Sequence, residues 1–270
     1  MTKYGDGPDK ITAPSASRSS GNRRVTHMAK SRVAPEHSIR IKAFYRVLPY
    51  VQDITRRGRM EALLNILEIK PGTRILDLGG SPTIWGHVSI PLDITIVNLS
   101  KGIPAFQLEE DSVHTFHYVE GDACNVQLPD HSFDLVFSNS VIEHVGSSER
   151  QEEFAREVTR LGNSYWVQTP SAWFPIEAHT GMPFYWFYPE WFRSLLFRRW
   201  QKKLPTWWTD LILEIGVLSR KRMAELFPDA RIRVEFLFGL TKSYIAYSAK
   251  DHAPANPTAA DRDVAIRSSR

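Results

Sequence analysis

Between residues 74 and 170, short apolar runs alternate with helical patterns, and this alternation leaves few folds open. The stretches "RILDLG" (74–79), "ITIVNL" (94–99), "TFHYVEG" (115–121), "FDLVFSN" (133–139) and "SYWVQTP" (164–170) have the length and composition of strands. Before them, "RGRMEALLNILEI" (57–69) repeats apolar residues at helical spacing and is predicted to run to Pro71-Gly72. Between the fourth and fifth, "SSERQEEFAREVTRL" (147–161) sets Phe154, Val158 and Leu161 on one helical face. Later, "SRKRMAELF" (219–227) reads as a helix, and "RIRVEFLFG" and "KSYIAYSA" as two further strands. Strands alternating with helices predict an α/β fold, a mostly parallel sheet flanked by helices and joined by right-handed crossovers. Such sheets bind ligands at the carboxyl ends of their strands.

Composition bounds the partners. The 270 residues suffice for one large domain with a full core. The net charge of +4 hints at nucleic acid, but residues 1–40 carry +5 and residues 250–270 carry +1, leaving −2 for the body. The folded core therefore offers no basic balance for a nucleic-acid face. No apolar run reaches the ~20 residues of a membrane span. The N-terminus has no apolar segment of the secretory kind. A lone Cys124 excludes an intramolecular disulfide framework and a Cys-based zinc site, and it fits a reducing cytoplasm. Residues 1–36, rich in Ser, Arg, Lys and Pro, are expected to be a disordered basic tail, and 250–270 a second one. The domain proper is expected over 37–249. Met28 is a candidate true start.

Four features fall at the predicted carboxyl ends of the strands. Asp77, Gly79 and Gly80 follow the first. Asn98 ends the second, 21 residues beyond Asp77, close to the spacing of a ribose-binding residue in a Rossmann-type site (~20). "GDA" (121–123) follows the third and "SNSVIEHV" (138–145) the fourth. Each is weak alone; the ordered set is specific.

The set resembles the class I S-adenosylmethionine-dependent methyltransferases, in particular the small-molecule "type 11" kind. "RILDLGGSP" stands for their first motif, "VNLS" for their second, and "GDA" followed by "LPDHSFDLVFSNSVIEHV" for the run through the fourth strand. The resemblance covers residues 57–170 and implies a Rossmann-like sheet that binds S-adenosyl-L-methionine. It implies cofactor contacts at Asp77, Gly79, Gly80, Ser81, Asn98, Leu99, Asp122, Ala123 and Asn139, with Asp122 the partner of the adenine amino group. No metal is expected.

Two positions depart from the family pattern. Ser81 and Thr83 stand where the first motif has its further glycines, which allow positive φ and close backbone approach. Pro82 offers to fix a different turn, and the Ser81 hydroxyl to meet the methionine carboxylate. Asn98 stands where the second motif has an acid, so its ribose hydrogen bonds are neutral rather than charge-assisted. This is expected to weaken binding by ~1–2 kcal/mol.

Methyl transfer from a sulfonium needs alignment and sometimes a base, not a nucleophilic triad. His144 is a candidate base, with Glu143 beside it as a structural or orienting residue. In the loop after the fifth strand, Glu177 and His179 share a side if the chain is extended there. Seven of the eight tryptophans lie in 166–208, which predicts an aromatic-rich cap over about 171–215. Within it, "WFRSLLFRRWQKKLPTWW" (191–208) mixes aromatics with Arg198, Arg199, Lys202 and Lys203, suiting an interfacial helix peripheral to the inner face of a membrane. The expected activity is methylation, chiefly at oxygen, of a small molecule, glycan or lipid-linked precursor, with nucleic acid disfavoured. The alternative is a catalytically weakened methyltransferase-fold scaffold. The sequence names neither the acceptor nor the oligomeric state.

Overall fold

The computed structural model describes residues 39–99, 112–177 and 180–248, all within one compact unit, Ala34–Arg270. The expectations for residues 1–36 and 250–270, and the Met28 start, lie outside the described residues. Seven strands form one sheet: β1 (Arg74–Leu78), β2 (Asp93–Asn98), β3 (Thr115–Glu120), β4 (Phe133–Asn139), β5 (Gly162–Pro170), β6 (Arg231–Leu237) and β7 (Leu240–Ser248). Their order is β3-β2-β1-β4-β5-β7-β6; β1 to β5 are parallel, and β7 runs antiparallel between β5 and β6. The chain leaves β1 toward β2 on one side and later fills β4 on the other. The crevice for a ligand therefore opens at the carboxyl ends of β1 and β4.

The central strands are buried on both faces, which is why they read as near-continuous apolar runs. Alternate side chains supply two cores. Ile75, Ile94, Ile96, Leu135, Phe137 and Trp166 pack against Met60 and Leu63 of α1 (Ile39–Ile66) and against Ile84 and Trp85 of α2 (Pro82–Trp85). Leu76, Leu78, Val97, Val136, Tyr165 and Val167 pack on the other face against Phe154, Val158 and Leu161 of α3 (Ser148–Leu161) and Met223 of α6 (Arg220–Leu226). The face expected for α3 is the one it buries. Its start is set by Ser147, whose side chain accepts from the Arg150 N–H.

Helix α1 differs from expectation at its end. It stops at Ile66 rather than running to Ile69. The Leu67 and Ile69 amides bond back to the Leu63 and Leu64 carbonyls, with Glu68 in the left-handed region (φ 48°). That closes the helix before the Pro71-Gly72 signal.

The cap follows β5. It contains α4 (Glu190–Gln201) and α5 (Thr206–Glu214) around a small core of its own, with Tyr185, Trp208, Ile212 and Ile215 buried against Trp186, Tyr188 and Trp200. Trp166 belongs, as expected, to β5 and is fully buried in the sheet core. One expectation is corrected here. The stretch 191–208 is not one helix but two, broken before Pro205, whose ring starts α5 and cannot continue α4. No described helix is long and apolar enough to cross a membrane.

Candidate active site

A cleft of about 230 Å³ opens at the carboxyl ends of β1 and β4, lined by Arg56, Asp77, Gly79, Gly80, Ser81, Ile84, Asn98, Phe137 and Asn139. Asp77 is fully buried, and its Oδ2 accepts from the Trp85 indole N–H at 2.8 Å. Its Oδ1 has no hydrogen-bond partner. Burial pushes this carboxyl up to about 7, against the opposing Trp85 bond.

The two glycines are each required. Gly79 has φ 72°, and a Cβ there would meet Val141 at 2.6 Å; a Cβ on Gly80 would meet the Asp77 carboxylate at 1.9 Å. Beyond them the family's further glycines are not needed. Ser81 is extended (φ −146°, ψ 155°) and caps α2, with Pro82 at the first helical position. The chain turns straight into a helix without positive φ. The Ser81 side chain makes no capping bond. Thr83 is exposed on α2 and does not line the cleft, so its departure from glycine carries no consequence for the cradle.

Asn98 has a role that an acid cannot fill. Its Nδ2 donates to the Gly80 carbonyl at 2.9 Å, tying the glycine turn to the end of β2. Leu99 is exposed just beyond. Asp122 does not line this cleft; it accepts from the Cys124 N–H at 2.9 Å and pairs with Arg150 at 2.6 Å. Its partial burial would raise the carboxyl, but the Cys124 amide and Arg150 together hold it below the ordinary range. Ala123 packs against the α3-side core.

After β4 the chain makes a sharp turn. Ser140 is left-handed (φ 57°), held by its N–H to the Gln168 carbonyl at 3.0 Å and its hydroxyl to Gln168 Oε1 at 2.9 Å. This strained residue leads into a 3₁₀ turn, Ile142–His144. Glu143 is buried and accepts from the Thr169 hydroxyl at 3.1 Å, while its carbonyl accepts from the Gly216 N–H at 2.6 Å. The end of the cap is thereby fixed to the turn that carries His144, which is half-buried.

Glu177 accepts from the Thr180 N–H at 2.6 Å on its carboxylate and from the Gly181 N–H at 2.8 Å on its carbonyl. Of the expected Glu177–His179 pair, only Glu177 falls among the described residues. His179 itself lies outside the described residues. Among the described residues, no group of three or more His, Cys, Asp or Glu gathers in the manner of a metal site.

Several site groups carry no sequence signal. Arg59, four per cent exposed, bonds both oxygens of Glu235 (2.9 and 2.5 Å), Gln168 Oε1 (3.1 Å) and Asn139 Oδ1. Lys242 donates to Thr55 Oγ1 at 3.0 Å. These partners lie up to 187 residues apart.

Residues 81–164 match the family model described as a methyltransferase domain, beginning just past the glycine pair. No curated protein matches the chain in sequence. Among solved structures, it is similar to a Haemonchus contortus phosphoethanolamine N-methyltransferase 2 in complex with S-adenosyl-L-methionine (18% identity, TM-score 0.45, covering 66% of this chain and 38% of that one). It is also similar to an S-adenosylmethionine-dependent methyltransferase from Methanosarcina mazei (13%, TM-score 0.43, 69% and 97%) and to a Methanococcus maripaludis protein assigned as one (14%, TM-score 0.47, 80% and 94%). The chain thus spans about two fifths of the length of the Haemonchus protein. The matched span runs from the end of the glycine turn through β2, β3 and β4 to the start of β5, and so frames the cleft.

Proposed function

We propose that this protein methylates an oxygen of a small molecule, glycan or lipid-linked precursor. The observation that carries the reading is the convergence of Asp77, the Gly79-Gly80 turn, Ser81, Asn98 and Asn139 on one cleft. The unpartnered Asp77 oxygen and the Cβ-free turn fit a ligand with an ammonium group and a closely apposed chain. Asn98 Oδ1 suits a ribose hydroxyl, and Leu99, exposed just beyond it, the adenine end. When bound, the cofactor supplies an electrophilic methyl group. The chain's own contribution is alignment, exclusion of water and a base. His144 is the proposed base for the acceptor hydroxyl, with Glu143 fixing its turn through Thr169 and Gly216. Glu177 is a positioning residue at the foot of the cap, and His179 a further candidate there.

Two tests apply. Calorimetry with S-adenosylhomocysteine is expected to give micromolar binding; no binding at millimolar ligand would leave the scaffold reading in its place. Transfer of labelled methyl to extracted polar lipids and glycans, but not to RNA, is expected.

The cap favours an acceptor at a lipid surface, in a cytoplasmic setting. Trp191 is 70% exposed, and Leu195 lies one turn on along the same helix face, followed by exposed Arg198, Arg199, Lys202 and Lys203. Sedimentation with anionic vesicles is expected to be salt-sensitive and to be lost in Trp191→Ser/Leu195→Ser. Equal binding by that variant refutes the membrane contact.

A further inference from the structure

The polar cluster under α1 is short of negative charge. Arg56, Arg59 and Lys242 converge from α1 and β7, and Glu235 is the acid placed among them. Glu235 is spent on Arg59, which it binds through both oxygens, and on the Ser243 hydroxyl. Arg56 makes no hydrogen bond or ion pair with any described residue. Its neighbouring acid, Asp53, is exposed and lies against His87 at 3.5 Å. Burial and the adjacent Arg59 depress the Arg56 guanidinium, and burial with Arg59 brings the Lys242 ammonium down to about 8. Asp53 for Arg56 and Glu235 for Lys242 offset these shifts only in part.

The position of Arg56 is fixed from both sides. One residue before it, Thr55 is held by Lys242; three residues after it, Arg59 is locked to Glu235, Gln168 and Asn139. Residues three apart share a helix face, so the anchor that buries Arg59 turns Arg56 toward the cleft it lines. There it faces a wall that includes Ser81, whose side chain makes no capping bond, and Asn139. A planar guanidinium held this way suits an oxyanion bound through two parallel hydrogen bonds.

We infer that Arg56 forms an anion subsite in the cleft, held in place by the Arg59–Glu235 pair and the Lys242–Thr55 bond, for a carboxylate or phosphate group. This rests on the cofactor reading of the same cleft. Two sources carry that chemistry: the methionine carboxylate of the cofactor, and an acidic group on the acceptor.

The test uses the full chain and Arg56→Gln and Arg56→Lys variants whose melting temperatures match the wild type. Calorimetry is run with S-adenosylmethionine, with decarboxylated S-adenosylmethionine, and with inorganic phosphate added to protein with and without S-adenosylhomocysteine. If the anion is the cofactor's, Arg56→Gln weakens S-adenosylmethionine about ten- to a hundredfold and leaves the decarboxylated form unchanged, while Arg56→Lys recovers part of the loss. If it is the acceptor's, cofactor affinity stays put and phosphate binding to the wild type disappears in Arg56→Gln. Equal weakening of both cofactor forms, or no change with any ligand, overturns the subsite. Failure of the wild type to bind either cofactor form refutes the cofactor reading instead; the phosphate arm on ligand-free protein then still decides the subsite.

Discussion

Asp77 concentrates the cost of the cleft in one side chain. Its carboxyl is raised to about 7 in the folded protein, against an ordinary 3.8. Between those values the native state keeps a proton that the unfolded chain has lost, so stability falls as pH rises through this window and levels off above 7. From pH 5 to pH 8 the loss from this group is about 2–3 kcal/mol. Urea unfolding is expected to show it in the wild type and not in Asp77→Asn, whose amide oxygen still accepts from Trp85. Gly80 is the companion constraint. Gly80→Ala drives a methyl to within 1.9 Å of that carboxylate, so a loss of about 1–3 kcal/mol and of cofactor binding is expected by thermal melting and calorimetry. Asn98→Asp tests the meaning of the altered second motif. Restoring the family's acid forfeits the donor to the Gly80 carbonyl, so no gain in S-adenosylhomocysteine affinity is expected. Tighter binding would show that the asparagine is a defect rather than a tie.

The elements explain which residues the sequence made legible. Strand β1 and its turn could be read because a short apolar run and a glycine pair are local signals, as is the Phe154, Val158 and Leu161 spacing of α3. The absent glycines looked like damage because a linear motif does not show that Pro82 starts a helix at once, which removes any demand for positive φ at 81 and 83. The division of the Trp cluster was legible, with Trp166 in a strand and the rest in the cap, but not the pairing inside the cap, where Trp200 and Trp208 pack edge to face at 5.3 Å. Trp208→Ala is therefore expected to cost about 3–5 kcal/mol in the cap alone. Limited proteolysis should cut first between α4 and α5, with cofactor affinity kept. Loss of the whole fold in that variant would mean that the cap is not an independent layer.

At the scale of the molecule, one buried ion pair joins the first described helix to the last two strands. Glu235→Ala strands Arg59 without a counter-charge, and a cost of about 3–5 kcal/mol is expected in denaturant unfolding. Replacing both partners by apolar residues should cost less, because no lone charge is left buried. The motifs taken as a set carried the methyltransferase resemblance; the sequence by itself determined the α/β class, a mostly parallel sheet, and the placing of Asp77, Gly79, Gly80, Asn98 and Asn139 at strand ends. These rest on periodicity and short-range turn chemistry, which act between residues close along the chain. Only the tertiary structure decided that Asn98 holds Gly80, that Asp77 leans on Trp85, and that Arg56 reaches the cleft between two anchors. Those outcomes depend on which distant side chains share a buried volume once the sheet has closed. Separations of up to 187 residues leave no mark in any local pattern.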